Sequence, residues 1–342
     1  MSMKILVTGG TGYIGSHTVV ELIQSGYEVI IADSLINSDL DVLEGIEQIT
    51  GIKPIFEKID LTDRISTLDF FSRNKDIKAV IHFAALKAVG ESVDKPLLYY
   101  RNNLDSLMNV LEGINEQNIN SIVFSSSCTI YGEPDLLPVT EDTPIKKAES
   151  PYGNTKQIAE EILDDHCKTT SLNCIALRYF NPVGAHESGI IGERPQGIPN
   201  NLIPYVTQTA LGIREYLNVF GNDYNTPDGT AIRDYIHVSD LSQAHVYALK
   251  YLLDKKGKGE IEYFNLGTGT GYSVLDIINT FERVNDLKLN YQFKDRRKGD
   301  IEKIWADPTK IINTLGWKAS RSLEDMMKSA WRFENKNVLK KD

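Results

Sequence analysis

The sequence predicts an α/β fold: a doubly wound parallel sheet with a smaller C-terminal α/β lobe. Three observations predict it. Short runs rich in Val and Ile alternate with helical patterns through the first half of the chain. A glycine-rich turn joins the first such run to the first helix. Beyond about residue 181 the alternation loosens into stretches punctuated by Gly and Pro. Continuous apolar strands separated by helices imply a parallel sheet covered on both faces. At 342 residues the chain can hold two packed units, divided at 1–180 and 181–342, with segments near 232–266 as candidates to pack with the first.

Residues 4–8 (KILVT) read as a buried strand, followed by the glycine turn and a helix to about Ser25 that Gly26 stops. Residues 28–32, 54–58, 79–83, 121–125 and 174–178 continue the strands, and helices are expected near 39–50, 62–74, 99–117 and 152–168. In such sheets ligands bind at the carboxyl ends of the strands. Residues 181–186 (NPVGAH) and 189–201 read as an irregular wall, and regular patterns return at 232–254, 261–266 and 273–284. No clean linker separates the units, so the cleft between them is expected to hold substrate.

Composition removes several classes of function. The charge is −10, from 37 Lys and Arg against 47 Asp and Glu, which disfavours nucleic acid as a partner. No apolar run is long enough to span a membrane, and the N-terminus lacks the apolar region of a secretory signal, so a cytoplasmic location is expected. Cys128, Cys167 and Cys174 are an odd number, suggesting a reduced compartment. Neither Cys-x-x-Cys nor His-x-x-x-His occurs, so no metal site is expected.

Gly9, Gly12 and Gly15 form Gly-x-x-Gly-x-x-Gly between a predicted strand and a predicted helix. Bare glycines allow a tight turn and let a pyrophosphate approach the free N–H groups of the helix start. Asp33, 18 residues beyond Gly15, ends the second strand; a carboxylate there accepts hydrogen bonds from a ribose and repels a 2′-phosphate, which favours NAD over NADP. This is the pattern of a Rossmann dinucleotide site. Asp60 and Leu61 end the third strand as an adenine contact. The small residues of Phe83-Ala84-Ala85-Leu86-Lys87 either let the cofactor cross the strand tips or serve packing.

Tyr152 and Lys156 lie four residues apart on a predicted helix, hence on one face. A free phenol is a feeble base at neutral pH, and a neighbouring cation should draw its pKa down. Ser125-Ser126-Ser127 closes the fifth strand on the same sheet edge. Ser127 is the choice to hold a substrate hydroxyl against the phenol, with Ser126 and Thr129 as alternatives. Together these groups suit hydride transfer, with Tyr152 removing the alcohol proton. Lys294, Arg296, Arg297 and Lys298 form a local basic cluster in an acidic chain, either an anion site or an exposed loop.

With these motifs in order, the chain resembles the extended short-chain dehydrogenase/reductase family, in its nucleotide-sugar epimerase branch. The likeness runs from about residue 3 to 335. It rests on TGGTGYIGSH (8–17), HFAALKAVGES (82–92), SSSCTIYG (125–132), SPYGNTK (150–156), RYFNPVGAH (178–186), PQGIPNNLIPY (195–205), FGNDY (220–224), DGTAIRDYIHVSDL (228–241), FNLGTG (264–269) and RRKGD (296–300). The resemblance implies interconversion of UDP-galactose and UDP-glucose by transient oxidation at C4 on a bound NAD, in a homodimer paired through the helices near 99–117 and 152–168. It implies NAD contacts from the glycine turn with Tyr13 and Ile14, and from Asp33, Asn37, Ser38, Asp60, Leu61, Phe83, Ala84, Ala85, Lys87, Asn102, Tyr152, Lys156 and Phe180. For the UDP-hexose it implies Ser127, Asn181, Asn201, Leu202, Asn218, Phe220, Arg233, Arg297 and Asp300.

Two positions depart from the family pattern. Cys128 stands where many relatives carry Ala. Ile304 stands where members carry either Tyr or a smaller residue, at a position resembling a gate for N-acetylated sugars. Because a C4 epimerase must turn its 4-keto sugar over within the site, binding energy has to come from the nucleotide and diphosphate, and guanidinium groups such as Arg233 and Arg297 suit the latter. The nearest competing activity, a nucleotide-sugar 4,6-dehydratase, places an Asp-Glu pair where this chain has Cys128-Thr129. A non-catalytic NAD-sensing regulator would usually lack the Tyr/Lys pair.

Overall fold

The computed structural model describes residues 2–197, 199, 201–255, 259–297 and 300–338, the last two without their side chains. The first unit begins β1 (Lys4–Thr8), α1 (Tyr13–Gln24), β2 (Glu28–Asp33), α2 (Asp41–Thr50), β3 (Ile55–Lys58), α3 (Arg64–Arg73) and β4 (Ile77–His82). After it come α4 (Val89–Asp94), α5 (Pro96–Tyr100), a π-turn over 101–105, α6 (Ser106–Glu116) and β5 (Ser121–Ser127). A 3₁₀ turn over 128–131, α7 (Pro151–Thr169) and β6 (Asn173–Tyr179) follow. Beyond them lie β7 (Asn181–Val183), α8 (Leu202–Ala210), β8 (Leu217–Phe220), β9 (Ile232–His237), α9 (Val238–Asp254) and β10 (Ile261–Leu266). The chain closes with β11 (Gly271–Ser273), α10 (Val274–Asn285), β12 (Tyr291–Lys294), β13 (Lys303–Ile304), α11 (Thr309–Leu315) and α12 (Leu323–Val338).

Seven parallel strands form the main sheet in the order β10-β6-β5-β4-β1-β2-β3. One face buries Val7, Val19, Leu22, Leu241 and Leu249 beneath α1 and α9; the other buries Leu6, Phe70, Phe71, Val110 and Leu163 beneath α3, α6 and α7. The order reverses between β1 and β4, so the loops leaving those strands diverge and open a crevice at their carboxyl ends. Residues 232–266 divide between the units. β9 joins the second sheet, whereas α9 packs on α1 and β10 adds the seventh strand beside β6.

The smaller unit holds β11-β9-β13 with β7 beside β9, and a separate β12-β8 pair. Its core gathers Val206, Val219, Tyr235, Ile277, Phe281 and Met327. A fourth cluster, with Tyr131, Phe180, Ile304 and Ala306, fills the seam between units.

One expected element differs in form. The helix expected over 99–117 is interrupted at 101–105 by a π-turn. Its one-residue widening leaves the apolar periodicity of the flanking helices nearly intact. π-turns cluster at functional sites, and this one faces the crevice through Asn103.

Candidate active site

The crevice is built first by the glycine turn. Gly9 has φ +68, and a Cβ on it would fall 2.8 Å from the Ala84 backbone nitrogen at the tip of β4. A Cβ on Gly15 would fall 2.2 Å from the Gly9 carbonyl oxygen. Both positions therefore need glycine for shape and not merely for flexibility. Gly12 caps α1 without a side chain, which leaves the first N–H groups of a 12-residue helix for an anion. The Asp33 carboxylate is fixed by the Thr11 N–H (3.1 Å) and the Leu35 N–H (2.9 Å), and Ser38 is held by the Thr11 hydroxyl (2.7 Å). Asn37 lies exposed in the same loop, beside the half-buried Ser38. Asp60 accepts from the Thr62 N–H (2.9 Å), and the Leu61 carbonyl accepts from Asn109 (2.9 Å).

The β4 tip forms the middle of the crevice. Thr8 joins β1 to β4 through His82 Nδ1 (2.9 Å) and the Ala84 N–H (3.3 Å). Phe83 packs on the His245 ring, with centroids 4.8 Å apart. Asn102 is half-buried, whereas its neighbour Asn103 is buried and clamps the loop. Asn103 Oδ1 accepts from the Leu86 N–H (2.8 Å), while Nδ2 donates to the Leu86 carbonyl (3.0 Å) and Thr155 Oγ1 (3.1 Å). Without the register of the π-turn, nothing in the sequence tells this pair of asparagines apart.

The catalytic candidates come from β5 and α7. Ser150 caps α7 by accepting from the Gly153 N–H (3.1 Å), and Pro151 sets the first turn, so Tyr152 emerges at the helix start beside the β5 tip. Ser127 ends β5 beside the Tyr152 phenol, whose pKa it draws down; it accepts from the Thr129 N–H (3.2 Å) and hydroxyl (3.0 Å). Ser126 is turned away to Glu160, which removes it from consideration. Lys156 lies buried one turn after Tyr152, its Nζ 5.9 Å from the phenol ring centroid and 4.9 Å from the Phe124 ring.

Here the structure corrects an expectation. Burial pushes the Tyr152 phenol up to about 12, with Ser127 pulling the other way. Burial also draws Lys156 down to about 8, opposed by Glu160. The ammonium donates to the Ser125 carbonyl (2.6 Å). In a dry site the cost of desolvating a phenolate exceeds what a lysine engaged with a carbonyl returns.

The opposite wall belongs to the smaller unit. Phe180 lies buried against Ile304, and Asn181 opens β7. Arg233 pairs with Asp300 (2.6 Å), and the Arg297 guanidinium lies 4.2 Å above the Phe220 ring. Asn218 accepts from Gln292 (3.0 Å) on the paired strand β12. The basic cluster is not one patch. Arg296 turns to Asp223 (2.7 Å) and stacks on Tyr224, Lys294 is exposed on β12, and Lys298 lies outside the described residues. Asn201, at the start of α8 before Leu202, donates to Glu193 Oε1 (2.6 Å); the same oxygen meets Lys87 Nζ at 3.1 Å. Tyr13 Oη donates to the Gly184 carbonyl (2.6 Å), joining α1 to this wall. Sequence reasoning missed Glu193, since an acidic residue in an irregular loop carries no periodic signal.

The residues present fit a dinucleotide. An uncapped helix start lies behind a turn too tight for side chains, and a carboxylate is fixed at the end of β2. The family model described as GDP-mannose 4,6 dehydratase matches residues 6–330. The UDP-glucose 4-epimerase of Bacillus subtilis (strain 168) is 52% identical over 337 residues, covering 98% of each chain. That of Dictyostelium discoideum is 50% identical over 335 residues, 98% of this chain and 96% of the relative. Two solved structures superpose over nearly the whole chain. UDP-glucose-4-epimerase from Stenotrophomonas maltophila, with bound NAD and formylated UDP-arabinopyranose, has a TM-score of 0.95 at 45% identity and 99% coverage of both. The enzyme from Bifidobacterium longum, in complex with NAD+ and UDP, has a TM-score of 0.93 at 47% identity, covering 98% of this chain and 99% of the other.

Proposed function

The chain belongs to the UDP-glucose 4-epimerase family, among the extended short-chain dehydrogenases/reductases, and from that premise we propose how its residues divide the work. It is an isomerase that interconverts UDP-galactose and UDP-glucose with NAD as cofactor. When bound, NAD would supply a hydride acceptor and donor for C4, and the positive charge of its oxidised form would favour the phenolate of Tyr152. The glycine turn, Asp33, the Asp60–Leu61 pair and the β4 tip hold this cofactor. Phe220, Arg297 and the Arg233–Asp300 pair hold the nucleotide and diphosphate, with Asn181, Asn201, Leu202 and Asn218 beside them. The 1–180 part forms the cofactor lobe with α9 and β10 added, and the remainder forms the sugar lobe.

Tyr152 takes the proton of the sugar hydroxyl and returns it after the ketone has turned, while Ser127 orients that hydroxyl. Lys156, fixed on the Ser125 carbonyl, keeps a positive charge near the phenol. The observation that carries this assignment is the meeting of Ser127, at the β5 tip, with the Tyr152 phenol whose pKa it draws down, on the same sheet edge as the glycine turn. The dehydratase reading lacks an acid, because burial pushes the Cys128 thiol up to about 12 and Thr129 donates to Ser127.

A homodimer fits the exposed Leu97, Leu98 and Met108 on α5 and α6, an apolar strip that a second copy would cover. Among the described residues no helix is long and apolar enough to cross a membrane; the cytoplasm fits three unpaired cysteines. The test is conversion of UDP-galactose by purified protein with no NAD added. Product formation, and release of NAD on denaturation, is the expected result; a protein that needs added NADP, or that yields a dehydrated sugar, overturns the reading.

A further inference from the structure

The tip of β5 is held unevenly. From Ile122 to Phe124 the strand pairs with β4 on one side and β6 on the other. β4 ends at His82, so Ser125, Ser126 and Ser127 pair with β6 alone. A strand with one neighbour has unpaired backbone groups along its free edge and fewer bonds to hold it. Yet this stretch supplies the partners of both α7 side chains in the crevice. The Ser125 carbonyl accepts from Lys156 Nζ (2.6 Å), and Ser127 lies beside the Tyr152 phenol.

Ser126, between them, faces the other way. The residue is 1% exposed, and its hydroxyl donates to Glu160 Oε1 (2.5 Å) on α7, one turn beyond Lys156. Arg178, its register partner on β6, donates to the same carboxylate through Nε (3.1 Å) and a terminal nitrogen (2.8 Å). One carboxylate thus ties the β5 tip, β6 and the helix that carries Tyr152 and Lys156. The two bonds from Arg178 already compensate its charge. What the Ser126 bond adds is a fixed distance between strand tip and helix.

We propose that Ser126 is a positioning residue: through Glu160 it fixes the one-sided tip of β5 against α7, so that Ser125 meets Lys156 and Ser127 meets Tyr152 together. The inference deepens the epimerase reading and rests on it. Without that bond the helix stays on Arg178 while the tip can shift, and both partners recede from the catalytic pair. Burial keeps His82 of β4 and His245 of α9 neutral and holds the protons on Cys128, Tyr131 and Tyr179. The pH profile near neutrality therefore reads Tyr152 and Lys156.

The test compares the unmodified holoprotein with Ser126→Ala and Ser126→Thr, assayed on UDP-galactose between about pH 6 and 9. At neutral pH Ser126→Ala should lose about 10–100-fold in kcat, the scale for misplaced reacting groups. Its KM and UDP affinity should stay within about twofold, since the contacts to the nucleotide are untouched. The pH of half-maximal kcat should rise by about one unit, because the cation and the serine that draw the phenol down have both receded. Ser126→Thr, which keeps the hydroxyl, should restore most of the lost kcat and the unmodified pH profile. An Ala variant with unmodified kcat and pH profile overturns the proposal and leaves the epimerase reading standing. So does a loss of kcat with the pH profile unmoved, or one that Thr does not restore, since either leaves the serine no part in aligning the pair. An unmodified protein that fails to epimerise overturns both.

Discussion

Tyr152 is a base that its own surroundings make weak. Burial sets its pKa at about 12, and the adjacent Lys156 is itself drawn down to about 8. Chemistry at neutral pH thus depends on a positive charge arriving with the cofactor. Tyr152→Phe should lower kcat about 10²–10⁴-fold with UDP affinity kept, measured by steady-state kinetics and titration with UDP. Near-normal kcat would remove Tyr152 from its role. Lys156 gives a second expectation. Its folded pKa lies below the unfolded value of 10.5, so the unfolded chain binds more protons between the two. This group's contribution makes the cofactor-free fold gain stability as pH rises from about 8 to 10.5. The urea midpoint should rise there in the native chain relative to Lys156→Met; parallel curves would contradict it. The Tyr/Lys spacing, the serine strand and Asp33 were legible in sequence because each sits at a fixed place on a helix or strand. Asn103 and Glu193 were not, since their contacts cross 17 and 106 residues through irregular backbone.

At the scale of elements, α7 holds Tyr152 and Lys156 and is locked to the sheet by a buried pair. Arg178 on β6 meets Glu160, one turn beyond Lys156, at 2.8 Å, and also donates to the Tyr131 hydroxyl (3.0 Å). Both charged side chains are 4% exposed. Removing one partner leaves the other charge buried and unpaired, so Glu160→Ala should cost about 3–5 kcal/mol in denaturant unfolding. A loss under about 1 kcal/mol would show that water reaches Arg178. Apolar periodicity located most strands of the main sheet and the α7 helix within a residue or two. It could not show the π-turn at 101–105. Nor could a local pattern show that residues 261–266 return to pair with β6, a choice made by tertiary packing.

Among the described residues a seven-stranded sheet, a four-stranded sheet and the β12-β8 pair surround one crevice, with neutral histidines buried in the molecule. Burial holds His17 and His82 at about 3 and His237 and His245 at about 4. Each lies below the ordinary 6.5, so their contribution is complete above about pH 6.5 and is lost as pH falls toward the folded values. Each should then cost about 1.4 kcal/mol per pH unit. Unfolding midpoints should therefore drop steeply between pH 6.5 and 5, and a flat profile would mean that these rings are hydrated. The chemistry of the assembled crevice is tested most directly with UDP-galactose carrying deuterium at C4. Hydride held on a bound cofactor and returned to the opposite face predicts UDP-glucose with the deuterium still at C4, formed without added NAD. Deuterium lost to water would contradict the account, because it would show that C4 surrenders a proton.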